Sequence, residues 1–343
     1  GLSRQETALD FTAGISFIFG QIGKLLFSLG SHFSLTSLAV ALLVATLFFT
    51  WQRVRRGRRV RVKTILRALF PRRILHSRSN EADIGFLIFN VFVYGVMFGW
   101  ALLSYQFISN GIIAGLIALF GPVSPSTLPV YVTRAVITAM LFLAYELGYW
   151  FNHWLSHKVP LLWEFHKVHH NAEVLTPLTN FRVHPVYTWV FANILAFSAA
   201  VANGFGNYMF GETAHQYALN DTNIILVLFI HTYVHLQHSH VWISFRGLLG
   251  RIFVSPAHHQ VHHSSNPKHF NKNFGSCLAL WDWMFGTLYV PEKQREPLTF
   301  GFGDHPDAHT MKGELVDPLI NAAGRLKPLW HKPAVPVAER KRA

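Results

Sequence analysis

Four stretches of this chain, at about 84–104, 128–150, 186–202 and 218–234, are apolar, carry few charges and approach bilayer-crossing length. A bilayer core needs ~20 residues of helix (range ~17–25). In lipid every backbone N–H and C=O must be bonded within the protein, so such segments form helices. A fifth stretch at 36–51 is short but is expected to add an N-terminal helix. The run at 106–121 is interrupted by Asn110, Gly111 and Gly115 and followed by Pro122, so it is expected to be interfacial or re-entrant. Only 14% of residues are charged and 51% are hydrophobic. A soluble domain carries about 25% charged residues, so soluble, disordered and coiled-coil readings are excluded.

Orientation follows from one basic patch: Arg53, Arg55, Arg56, Arg58, Arg59, Arg61, Lys63, Arg67, Arg72 and Arg73. Positive-inside bias puts Arg53–Arg73 in the cytoplasm, against anionic headgroups. The neighbouring spans account for this patch, so no nucleic-acid partner is expected. Counting crossings from residue 84 places 151–185 and 235–343 on the same cytoplasmic side. The expected division is 1–83, N-terminal helices and basic segment; 84–291, membrane and catalytic cap region; and 292–343, a polar cytoplasmic tail.

Those two cytoplasmic segments hold most of the 21 histidines. His153 and His157 are four apart. His166, His169 and His170 form HKVHH, and His259, His262 and His263 form HQVHH. His235 and His238 are three apart. Residues three and four apart share a helix face, so each cluster is expected to aim two or three imidazoles at one point. A lone His near a span is usually an interfacial polar group; repeated boxes on one side point to metal. Imidazole suits Zn, Cu, Fe and Ni. Eight to ten histidines suffice for two metals, whereas mononuclear zinc needs three or four ligands. No HExxH supplies a protease base, and the two Glu-x-x-His pairs of carboxylate di-iron bundles are missing. A histidine-rich di-iron site fits best. The single cysteine, Cys277, excludes a disulfide framework, a CxxC site and an iron–sulfur centre.

The run YELGYWFNHWLSHKVPLLWEFHKVHHNAEVLTPLTNFRVHP (145–185) resembles the first half of the fatty acid hydroxylase (sterol desaturase) superfamily of membrane-bound di-iron oxygenases. LQHSHV (236–241), SPAHHQVHHS (255–264) and NFGSCLALWDWMFGTLY (273–289) resemble its second half, and 70–90 resembles the entry to the first hairpin in bacterial members. The resemblance covers about 70–290. It implies an all-α integral membrane protein with two transmembrane hairpins (four core spans) and a cytoplasmic helical cap holding two irons. By that likeness the ligands are His153, His157, His166, His169, His170, His259, His262 and His263. The histidine between the second hairpin and the last box maps to His238, with His235 as competitor. His184 matches another recurrent position, as an additional ligand or a partner of one. Asn273 and Asp282 are candidates to hydrogen-bond ligand imidazoles, because ligating His usually donates its other N–H. Glu146, ionisable within an apolar span, is a functional candidate, with an interfacial arginine as the alternative partner. Trp154, Trp163, Trp281 and Trp283 are expected in belts or packing.

Two irons activating dioxygen imply hydroxylation or desaturation of a lipid C–H bond. The two electrons are expected from a separate ferredoxin-like or cytochrome b5-like carrier, since no nucleotide-binding GxGxxG or HPGG run is present. A basic surface favours an acidic carrier. The bacterial-looking flanks imply an inner membrane, or the ER membrane in a eukaryote, and favour an acyl or amino-lipid substrate. The alternatives are a sterol or carotenoid oxidase of the same superfamily and a histidine-rich metal transporter. A transporter would place ligands and acids at mid-membrane.

Overall fold

The computed structural model describes residues 4–31, 33–94, 104–124, 126–211, 215–302 and 309–330. Among the described residues its regular elements are helices, joined by loops, apart from one hairpin of two two-residue strands. Helix α1 (Arg4–Phe27) precedes α2 (Leu35–Arg55), whose N-terminal amides are capped by the Ser34 hydroxyl. Three short helices follow: α3 (Val62–Leu69), α4 (Arg72–Leu75) and α5 (Arg78–Phe89). The expected span at 84–104 begins in α5 and a π turn at Asn90–Tyr94; the rest runs into positions 95–103, outside the described residues.

The run at 106–121, interrupted by glycines in the sequence, forms one unbroken helix, α6 (Tyr105–Phe120), shorter than the three candidate spans. Its glycines do not break it because it is supported along α9 (Pro185–Phe210). A Cβ on Gly204 of α9 would lie 2.7 Å from Ile112 Cβ and 2.9 Å from Ser109 O, and Asn203 Nδ2 donates to Ser109 Oγ at 2.8 Å. Only a glycine permits that approach. At 1.5 Å per residue α6 is ~24 Å long.

Helix α7 (Val130–Lys158) has 29 residues, ~44 Å, so it runs well beyond the expected 128–150. Its last turns carry His153 and His157 out of the apolar stretch. After a turn at Val159, Pro160 opens α8 (Pro160–His170), where a missing N–H costs nothing. Helix α9 starts at Pro185 behind His184 and stops at Gly211, which is left-handed (φ 68).

The fourth expected span, 218–234, differs most. It opens with a hairpin of β1 (Ala218–Leu219) and β2 (Thr222–Asn223), turned by Asn220 and Asp221 with φ of 47 and 63. Its helix, α10, is confined to Ile224–Gln237 and contains a π turn at Ile230–Val234. Three helices among the described residues, α2, α7 and α9, are long and apolar enough to cross a membrane; the chain is a membrane protein. Helix α2 meets α10 near its C-terminal end, where Ala41 and Ala45 pack on Leu236 and Val241.

Beyond α10 come α11 (Gly247–Ile252), α12 (Pro256–His262) and α13 (Leu280–Met284). The stretch expected as a polar tail contains a 20-residue helix, α14 (Met311–Trp330), docked on α8 with Glu314 and Ala322 buried. Its Pro-containing sequence hides the contact, because the ties are polar. Arg325 pairs with Glu164 of α8, and Glu314 with Arg182.

Candidate metal centre

Each HxxHH box divides along helical geometry. Residues four apart are rotated by ~40° and residues three apart by ~−60°. The four-apart pair His166 and His170 joins His153, His157 and His262. The four-apart pair His259 and His263 joins His169 and His238. The third histidine of each box thus crosses to the other group. Within each group the candidate ligand nitrogens lie within 4.8 Å of one another. Of the two or three imidazoles each box was expected to aim at one point, each HxxHH box aims two, and its remaining histidine joins the neighbouring group.

In the group of four, His238 Nε2 lies 3.1 Å from His169 Nε2, 3.1 Å from His263 Nε2 and 2.9 Å from His259 Nε2. In the group of five, His170 Nε2 is 3.2 Å from His166 Nε2 and 3.1 Å from His262 Nε2. Backbone carbonyls fix several tautomers, since a carbonyl only accepts. His153 Nδ1 donates to Phe274 O and His262 Nδ1 to Lys272 O, both at 2.8 Å. His169 Nδ1 faces Arg182 O at 3.3 Å. Their Nε2 atoms therefore carry lone pairs, aimed at other Nε2 atoms. One nitrogen holds one proton at most, so the three contacts of His238 Nε2 cannot all be hydrogen bonds. The buried Nε2 atoms of His153 and His157 have no hydrogen-bond partner. Converging lone pairs spaced about 3 Å apart fit neighbouring nitrogens on a metal held at ~2.0–2.1 Å. The donor set suits a metal such as iron, zinc or copper.

The electrostatics agree. Burial, reinforced by neighbouring imidazoles, holds His166, His170, His238, His259 and His263 well below the ordinary histidine value. Burial brings His169 down to about 3 and His262 to about 4. Neither group contains a carboxylate. The imidazoles are neutral bases, ready to bind metal without first losing a proton.

Four further sequence candidates fall outside both groups. His184 caps α9: its Nδ1 accepts from Val186 N, and Nε2 donates to Leu315 O at 3.0 Å. His235 Nε2 bonds Ser37 Oγ at 2.9 Å, drawn to the first turn of α2. Asn273 touches no imidazole; left-handed at φ 58, it bonds the backbone of His258 and Tyr289. Asp282 also touches none. Its carboxylate accepts from Trp150 Nε1, Thr287 Oγ1 and the amides of Phe274 and Gly275. It thereby holds the loop whose carbonyls, at Lys272 and Phe274, orient His262 and His153. Burial pushes its carboxyl up, against these donors. Glu146 meets no arginine among the described residues; its Oε2 accepts from the amides of Cys277 and Leu278, at 2.9 and 2.8 Å. Trp163 packs, as one of the two expected alternatives: its ring lies 5.0 Å from that of His157.

Sequence reasoning missed Arg182. It is fully buried, donates to Val168 O, Ser79 O and Asp83, and pairs with Glu314 at 2.5 Å. It joins α5, α8 and α14 beside His169. The available signal was an arginine in a run, FRVHP, that lies between histidine boxes and carries no acid.

These features define a helical membrane protein with two adjacent, largely buried, all-histidine groups that could each hold a metal ion. Residues 138–287 match the fatty acid hydroxylase family and contain all nine clustered histidines. Similar curated proteins include alkylglycerol monooxygenase of Xenopus tropicalis, 30% identical over 46% of this chain and 31% of that protein. The Homo sapiens alkylglycerol monooxygenase is 31% identical over 48% and 32%, respectively. Ornithine lipid hydroxylase OlsE of Rhizobium tropici is 27% identical over 43% of this chain and 40% of that protein. The match thus spans about a third of the alkylglycerol monooxygenases' length. No solved structure matches.

Proposed function

We propose that this protein is a membrane-bound, iron-dependent lipid hydroxylase. One oxygen atom of dioxygen enters a lipid C–H bond, and the other becomes water with two electrons and two protons supplied from outside. The carrying observation is the pair of adjacent, buried, carboxylate-free histidine groups at the ends of apolar helices. His153, His157, His166, His170 and His262 would hold one iron, and His169, His238, His259 and His263 the other. Iron supplies the dioxygen activation that no side chain can. The chain's own part is to present neutral imidazoles, fix their tautomers through the carbonyls of Lys272, Phe274 and Arg182, and keep bulk water away.

The names of the relatives, alkylglycerol monooxygenase and ornithine lipid hydroxylase, support a glycerol- or amino-lipid substrate. A separate ferredoxin-like or cytochrome b5-like carrier would bring the electrons. The basic segment Arg53–Arg73 would rest on anionic headgroups, with the site on the cytoplasmic side of an inner or ER membrane.

The test is lipid mass spectrometry of cells with and without the protein under isotopically labelled dioxygen, alongside metal analysis of the purified chain. One labelled oxygen per product, abolished in His169→Ala, is expected. Loss of two hydrogens would mean desaturation. Protein that binds no iron under iron-replete expression, with no lipid changed, would refute the reading.

A further inference from the structure

Two hollows flank the last turns of α7, and they differ in what they reach. The first, about 820 Å³, lies between α7 and α9 and is almost wholly apolar, walled by Leu147, Phe151, Trp154, Phe197, Val201 and Phe285. No histidine lines it. His153 and His157 face away from it, so α7 itself stands between this groove and the metal-binding groups. The second, about 350 Å³, opens between the start of α8, the loop after α12 and α14. His157, His170, His262 and His263 form its floor, so it reaches histidines of both groups.

This second cleft is small, at the lower end of the ~300–1,000 Å³ typical of ligand pockets. It takes one end of a lipid and not a whole chain. Its walls are aromatic: Trp163 stands 5.0 Å from the His157 ring and 5.6 Å from Phe302. Its rim is cationic, with Lys158 and Arg325 lining it and no carboxylate among its lining residues. Glu164 beside it is already shared between Lys167 and Arg325. Lys158 is exposed and has no carboxylate partner among the described residues. The cleft therefore carries excess positive charge within reach of the histidines.

We infer that this cleft receives the head end of a phosphate-bearing lipid, with the phosphate at Lys158 and Arg325 and the carbons next to the headgroup lying over His157, His170 and His262. The inference rests on the lipid-hydroxylase reading and adds two things to it. The substrate is anionic, and oxidation falls within a few carbons of the headgroup, not mid-chain or at the methyl end.

The experiment uses the full chain in detergent micelles. Binding of a short-chain phosphatidic acid, the matching diacylglycerol and inorganic phosphate is measured by native mass spectrometry, with metal content measured in parallel. Phosphatidic acid should bind more tightly than diacylglycerol. Lys158→Gln should weaken phosphatidic acid about tenfold, one charge-assisted contact, and leave diacylglycerol unchanged; Lys158→Glu should weaken it further. Amine-reactive labelling of Lys158 should be suppressed by phosphatidic acid and not by diacylglycerol. Tandem mass spectrometry of the cellular product should place the new oxygen beside the headgroup. Equal binding of the two lipids, equal loss of both in Lys158→Gln, or inorganic phosphate binding as tightly as phosphatidic acid would overturn the inference. So would a mid-chain hydroxyl. A metal-loaded protein that oxidises only a neutral lipid would sink the headgroup assignment while leaving the hydroxylase reading standing. Absence of metal and of any oxidised lipid would sink the hydroxylase reading itself.

Discussion

Asp282→Asn separates the two histidine groups in a single isosteric change. The Asp282 carboxylate takes four donors, and its Oδ2 accepts from Gly275 N at 2.8 Å. With asparagine, Oδ1 keeps its three donors, but an NH2 now faces the Gly275 N–H. One charge-assisted bond is lost and a buried amide is left unpaired, together worth about 2–4 kcal/mol. The strain falls on the loop whose carbonyls, at Lys272 and Phe274, hold Nδ1 of His262 and His153. Both of these belong to the group of five, whereas the group of four takes its carbonyl support from Arg182. Removing such outer support typically costs 10–100-fold in metal affinity. Under a competing chelator the variant should release metal from the five-histidine group first and keep about one metal per chain while the parent keeps about two. Metal analysis after graded chelator exposure, with thermal unfolding in parallel, reads this directly. Unchanged affinity at both groups, or equal loss from both, would refute the link from Asp282 through the loop to His153 and His262.

Other consequences follow from the same contacts. His170→Ala and His169→Ala, one position apart, should empty different groups, each leaving about one metal per chain by elemental analysis and both abolishing lipid oxidation. Arg182→Met strands Asp83 and Glu314 as buried acids and should destabilise the protein by about 3–5 kcal/mol in denaturant unfolding; adding Glu314→Gln should restore part of that. Histidines depressed by burial, His169 to about 3 and His262 to about 4, bind protons more readily unfolded than folded. Metal-free protein should therefore be most stable above about pH 6.5 and lose stability as pH falls toward about 4. A melting temperature independent of pH over that window would contradict it.

Much of the site was legible in the chain itself. The apolar runs dictated helices, because lipid offers the backbone no other partner. The HxxHH spacing dictated that imidazoles cluster, because residues three and four apart share a helix face. All nine histidines expected as ligands fall within the two groups. Where the sequence misled, a long-range contact was responsible. The glycines of α6 read as breaks until Ser109 and Ile112 of the same helix are seen held against Asn203 and Gly204 of α9, and α14 read as a tail because Glu314 and Arg325 find their partners in distant segments. His184 and His235 are histidines beside ligands, yet their nitrogens serve a helix cap and Ser37.

The sequence alone determined the chemistry: a helical membrane chain, a surplus of neutral nitrogen ligands, and no carboxylate motif to accompany them. Spacing along one helix sets the angle between side chains, and that angle is local. Tertiary structure alone decided which histidine shares a site with which. The exchange of His169 and His262 between groups depends on how α8 and α12 face each other, and on loop carbonyls more than 100 residues away from His153. No periodicity encodes that crossing, because it is a relation between helices and not a property of either one.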